Sequence, residues 1–218
     1  MSLQLFGHPF SSYTQKVLIA LYADGTEFEY RQLEVAEPKP FMEELKGYWR
    51  FGKFPVLVDA GKPIIESTVI IDHLQAHHPG QRKWIPDGDA GRRVRFLDRF
   101  FDLYVMTPMQ RIVAEHFRPE CSADPYGVEQ ARGTLNTAYD WLEEELEGPW
   151  AAGEEFTLAD CAAAPSLFYA DWVEEIGPDR PRLKEYRRRL LAHPAVARCV
   201  DEGRPYRELF PPGAPNRD

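Results

Sequence analysis

Apolar and polar positions change rhythm twice along the chain. Leu3 to Phe6, closed by Gly7, His8 and Pro9, predicts a short first strand. Val17, Leu18, Ala20 and Leu21 then recur at helical spacing behind Ser11-Ser12-Tyr13-Thr14. Ser11 or Ser12 serves as N-cap, and Asp24-Gly25 is the stop. Alternation through Phe28–Val35 predicts a second strand, and Pro38–Lys46 a short helix or irregular segment. Phe54 to Asp59 is apolar and β-branched, Ala60-Gly61 is a tight turn, and Lys62 to Ile65 is the returning strand. Glu66-Ser67 opens a helix whose residues Val69, Ile70, Ile71 and Leu74 form one apolar face.

Past His78-Pro79-Gly80 only helical spacing remains. Trp84 to Asp89 reads as a linker that docks by its aromatic residue. Val94, Leu97, Phe101 and Tyr104 predict one long amphipathic helix with Pro108 as a kink. Val128–Leu146 predicts another. Leu158–Val173 is almost wholly apolar and is expected to be the central buried helix, opened by a Thr157-x-x-Asp160 capping box stapled by Phe156. Arg182–Leu191 and Pro194–Val200 are shorter helices, and Arg204–Asp218 reads as a surface tail. The order β-α-β, α, β-β-α followed by helices gives an α/β plus all-α chain. Residues 1–79 form a thioredoxin-like domain, 80–89 the linker and 90–218 an all-helical domain. The Cys-x-x-Cys pair of thioredoxins is absent.

Composition narrows the function classes. With 218 residues, 44% hydrophobic and net charge −9, the chain can bury a sizeable core. It is poorly suited to nucleic acid or an anionic membrane surface. No apolar stretch is long enough to span a bilayer, and the first ten residues lack the pattern of a signal peptide. Cys121, Cys161 and Cys199 are odd in number and widely spaced. That favours a reducing, cytoplasmic setting over disulfides or a zinc site. His73 and His77 share a helical face, but no acidic or cysteine partner is evident in the sequence, so no metal is expected.

The chemical signal lies at Glu66-Ser67. A hydroxyl beside the free N–H groups of a helix start suits a ligand carboxylate, and the glutamate suits a ligand ammonium; together they fit an α-amino acid. Pro55, first in its strand, stands where a cis bond can be built. The stretch Pro55-Val56-Leu57, turn, Glu66-Ser67-Thr68-Val69-Ile70 resembles the glutathione-binding half of the glutathione transferases. The capping box at Thr157 resembles the one in that family's central helix, so the resemblance runs from Leu3 to about Val200.

The resemblance implies a cytosolic-type glutathione transferase, with glutathione as co-substrate and a homodimeric assembly. Lys53, Phe54, Pro55, Glu66 and Ser67 would bind glutathione, with the main chain of Phe54 pairing with the extended peptide. Lys39 is a further cation for the glycine carboxylate. Ser11-Ser12-Tyr13-Thr14 resembles the family's Cys-Pro-Tyr-Cys or serine motif, so Ser11, or Ser12 one residue on, would donate a hydrogen bond to the thiolate. Tyr13 is a third donor. Serine in place of the cysteine removes mixed-disulfide chemistry and leaves conjugation to a small hydrophobic electrophile, isomerisation, dehalogenation or peroxide reduction. Tyr13, Tyr104, Met106, Arg111 and Trp172 are candidates for the electrophile pocket. The rival class is a non-catalytic, transferase-like binding or assembly protein. The retained Glu-Ser pair argues against it.

Overall fold

The computed structural model describes residues 3–218. The first part runs β1 (Leu3–Gly7), α1 (Ser12–Asp24), β2 (Phe28–Gln32), α2 (Pro38–Tyr48), β3 (Val56–Asp59), β4 (Lys62–Ile65) and α3 (Ser67–His77). The strands form one sheet in the order β2-β1-β3-β4. β1 and β2 are parallel and are joined through α1, as a parallel pair requires; β3 runs antiparallel to both of its neighbours. Alternation decides the two faces. Leu3, Leu5 and Leu57 face α1 and α3, whereas Phe6, Val56 and Val58 pack with Phe41 and Leu45 of α2. α1 stops at Gly25, whose φ of 66° is left-handed and lets its N–H return to the carbonyls of Leu21 and Tyr22.

The second part is helical: α4 (Gly88–Phe100), a π-helical turn (Phe101–Met106), α5 (Thr107–Glu115), α6 (Pro125–Glu145), α7 (Leu158–Val173), α8 (Pro181–Ala192) and α9 (Pro194–Gly203). The long helix expected around Pro108 is therefore three consecutive pieces. Pro108 has no N–H to give and its ring crowds the preceding turn. The backbone widens there, and the Thr107 N–H reaches Asp102 O, which also accepts from Thr107 Oγ1 at 2.8 Å. α7 is buried along nearly its whole length. Its box forms as expected: Asp160 accepts from the Thr157 N–H at 2.8 Å, and also from the Ala151 N–H and the Tyr186 hydroxyl. Phe156 packs on Trp84, Trp150 and His193.

One apolar interior runs from the sheet into the helices without a break. The linker seals it. Trp84 is buried and donates Nε1–H to Asp24 at 2.8 Å, and the Ile85 backbone is held at both ends by Gln75. Arg204–Asp218 is not a loose tail. After a 3₁₀ segment (Arg204–Leu209), Phe210 is buried against Tyr169 and Trp172, while Asp218 pairs with Arg204 and Arg207. No described helix is long and apolar enough to cross a membrane.

Candidate active site

Strand register assembles the site. Phe6 of β1 stands opposite Val56 of β3, and Val56 opposite Ile65 of β4. The end of β1, the start of β3 and the end of β4 therefore meet at one end of the sheet. The loop after β1 leads into α1, Phe54-Pro55 leads into β3, and Glu66-Ser67 leads out of β4. Three segments distant in sequence thus bring two helix N-termini and one irregular backbone step together.

Each segment has its own local cause. Ser11 caps α1: its Oγ accepts from the Thr14 N–H at 3.3 Å, with extended backbone at φ −85° and ψ 122°. Of the two serines offered as caps, Ser11 takes that place. It is half-buried, while Ser12, first in the helix, is buried. The Phe54–Pro55 bond is cis, as its position suggested. The β1–β3 ladder starts at Val56, so the Phe54 main chain stands outside it. Glu66 is the N-cap of α3 at φ 74°, a left-handed conformation that costs a non-glycine residue free energy and recurs at ligand sites. Glu66 is exposed and Ser67 buried. Lys53 and Lys39 are exposed, and Lys39 lies 3.8 Å from Glu43.

Tyr13, the second residue of α1, is half-buried. Burial, with the charges of Asp102 and Glu66 among the lesser causes, pushes its phenol up to about 12, so it is a proton donor at neutral pH. Below it lies a group that the sequence reading missed. Lys16 is buried with its Nζ 2.6 Å from Asp98 and 3.1 Å from Asp102, and it donates to Thr68 Oγ1 at 3.0 Å. Thr68 in turn donates to Asp98. Burial raises the Asp102 carboxyl above its ordinary range, against the pull of Lys16. The available signal was Asp98 itself, a charge four residues from Val94 on an otherwise apolar face.

The residues offered for the electrophile pocket do not line one cavity. Tyr104 is exposed on a groove with Phe100, Tyr126 and Trp141, whereas Met106 is sealed in the core. Arg111 is held by Asp124 at 3.0 Å, and Trp172 belongs to the Tyr169–Phe210 cluster under Arg207. Of that set, Tyr13 alone stands at the start of α1. A separate groove of about 1200 Å³ beside β2 and α9 is lined by none of Ser11, Phe54, Glu66 and Ser67. Contrary to the expectation from the sequence, the histidines of α3 are not without an acidic neighbour. An acidic partner is present: Asp59 meets His73 and His78, while His77 stacks on His73.

Known proteins share this fold. Residues 5–82 match the glutathione S-transferase N-terminal domain and residues 125–189 the C-terminal domain. A glutathione S-transferase of Pseudomonas putida is 30% identical over 205 residues, which cover 91% of each chain. The chain belongs to the glutathione S-transferase family. Among solved structures, a glutathione S-transferase of Methylobacillus flagellatus with glutathione bound superposes with a TM-score of 0.81 at 22% identity, covering 91% of this chain and 98% of that one. One from Methylobacterium radiotolerans in complex with glutathione sulfonate gives 0.77 at 25% identity, covering 92% and 95%. The thioredoxin-like and helical parts described above are those of this family.

Proposed function

We propose that the protein is a glutathione transferase that holds glutathione at the shared end of β1, β3 and β4 and adds its sulfur to a small hydrophobic electrophile. The supporting observation is the Phe6–Val56–Ile65 register, which gathers the starts of α1 and α3 beside cis-Pro55. Glu66 takes the ammonium of the γ-glutamyl group. The Ser67 hydroxyl and the free N–H groups of α3 take its carboxylate. The Phe54 main chain pairs with the peptide, and Lys53, with Lys39, faces the glycine carboxylate. These roles separate binding from chemistry, since none of these groups touches the sulfur.

Activation falls to the start of α1. The Ser11 oxygen accepts the Thr14 N–H, and its own proton stays free to donate to a thiolate. That donor and the positive end of the helix dipole stabilise the anion, so the thiol loses its proton to solvent at lower pH. Ser12 is buried and ranks second; Tyr13 supplies a further O–H near the sulfur. The serine stays intact through the cycle, and the new bond joins glutathione sulfur to the electrophile. The exposed Phe96, Tyr104 and Tyr126 support a homodimer, and the setting is cytoplasmic, with a role in detoxification.

Calorimetry of the full chain with glutathione, followed by a conjugation assay over a panel of electrophiles, tests this. One glutathione site per chain and a saturable rate with at least one electrophile are expected. No binding would leave the scaffold reading, and binding without turnover would leave a binding protein.

A further inference from the structure

β3 ends at Asp59, just before the tight turn into β4, and His73 lies in the last two turns of α3. His78 is the C-cap, where the chain leaves the helix at φ −134° and ψ 54°. Two residues five apart within a regular helix point in different directions. Here the break at the C-cap brings the second ring back. His73 Nε2 lies 2.9 Å and His78 Nε2 2.7 Å from the same oxygen, Asp59 Oδ2. All three side chains are partly buried, at 21%, 32% and 18% exposure, which leaves the cluster open to water on one side.

We propose that Asp59, His73 and His78 form a divalent transition-metal site of the zinc type, with water in the remaining position. The three donor atoms lie within 4.8 Å of one another. Ligands at about 2.0–2.1 Å around a tetrahedral ion stand roughly 3.3 Å apart, so each nitrogen need withdraw from the carboxylate by only about half an ångström. Two imidazoles and one carboxylate are a donor set that zinc, nickel and copper favour over magnesium or calcium. Without the ion, one carboxylate oxygen accepts both Nε2–H groups, so each ring carries its proton on Nε2. When the ion binds, that proton moves through solvent to Nδ1, and Nε2 gives its lone pair to the metal. His77 stacks on His73 with ring centroids 4.5 Å apart but lies outside the converging set.

The site is remote from glutathione chemistry. Glu66 and Ser67 stand at the opposite end of α3, and eleven residues of helix span roughly 16 Å. The ion therefore clamps the β3–β4 hairpin to the end of α3 and does not touch the sulfur. It would act on the stiffness of the sheet domain, through the helix that presents Ser67.

The test uses the full chain, free of any histidine tag, stripped with a chelator and kept without glutathione, which itself binds zinc. Zinc chloride is titrated against a chromophoric competitor, and cobalt chloride reports geometry through its visible absorption. One zinc per chain at micromolar or tighter dissociation constant is expected, with a tetrahedral cobalt spectrum. His73→Ala and His78→Ala should each weaken zinc binding by about tenfold or more, and Asp59→Asn likewise, whereas His77→Ala should stay within about threefold. Far-UV circular dichroism of each variant shows that it is folded. The absence of a stoichiometric site in the wild type would overturn the proposal. So would equal affinities for His73→Ala, His78→Ala and wild type.

Discussion

Lys16 Nζ stands 2.6 Å from Asp98 Oδ1, and both side chains are sealed from water. α1 belongs to the sheet domain and α4 to the helical one, so this ion pair is a joint between them. Asp102 and Thr68 complete it from the π-helical turn and α3. Removing the cation would leave the buried Asp98 carboxylate without a counter-charge and Asp102 with Arg99 alone. Lys16→Met is therefore expected to destabilise the protein by about 3–5 kcal/mol. Adding Asp98→Asn to it should restore part of that loss, because fewer uncompensated charges remain. Urea unfolding of the single and double variants measures both numbers.

On the proposed reading, glutathione affinity depends on α3. Glu66→Ala and Ser67→Ala should each weaken binding by about 1.5–3 kcal/mol, the scale of a lost hydrogen bond to a charged group. Neither should unfold the chain, since Glu66 is exposed and Ser67 is a single buried hydroxyl at a helix start. Calorimetry reads the affinity, and thermal melting confirms the fold.

The two serines are separable by pH. Ser11→Ala should move the rise of the conjugation rate to higher pH and lower the turnover number, with a smaller effect on glutathione affinity. It should also cost on the order of 1 kcal/mol in stability, because Ser11 caps α1. Ser12→Ala should leave the pH profile in place. A profile shifted by Ser12→Ala alone would transfer the role to Ser12.

Acid stability has a separate origin in His193. Burial lowers its pKa below the ordinary value of 6.5, with Arg82 adding to the effect. Burial lowers His8 in the same direction. An unfolded chain protonates these rings first as pH falls, so the stability is whole above about 6.5 and is lost progressively below it. His193 stacks on Phe156 with ring centroids 4.1 Å apart, and its Nδ1 has no partner among the described residues. His193→Phe keeps the stack and removes the titration. Its stability should fall less between pH 7 and 5 than that of the wild type, as read by urea unfolding at each pH.

Much of this was legible from local chemistry. Leu158–Val173 begins and ends where the apolar run and the Thr157–Asp160 box place it. The helix start at Glu66-Ser67 and the strand start after Pro55 follow from local residue rules, whereas their role in holding glutathione rests on the resemblance. The second strand stops at Gln32, not Val35: pairing ends where β1 ends at Gly7. Residues brought together by tertiary packing were not legible. Lys16 finds its carboxylates more than eighty residues away, and Asp59 meets His78 only because α3 ends there. The electrophile candidates lie scattered for the same reason, since helical periodicity does not distinguish a wall of a cavity from the core: Met106 is core and Tyr104 faces solvent.

The C-terminal segment changes how the protein would behave when trimmed. Phe210 covers Tyr169 and Trp172, and Arg217 and Asp218 fasten the strap to Asp171, Arg204 and Arg207. A protease cutting before Phe210 would bare an aromatic face of α7 itself. Loss of a few residues would then show as self-association on storage.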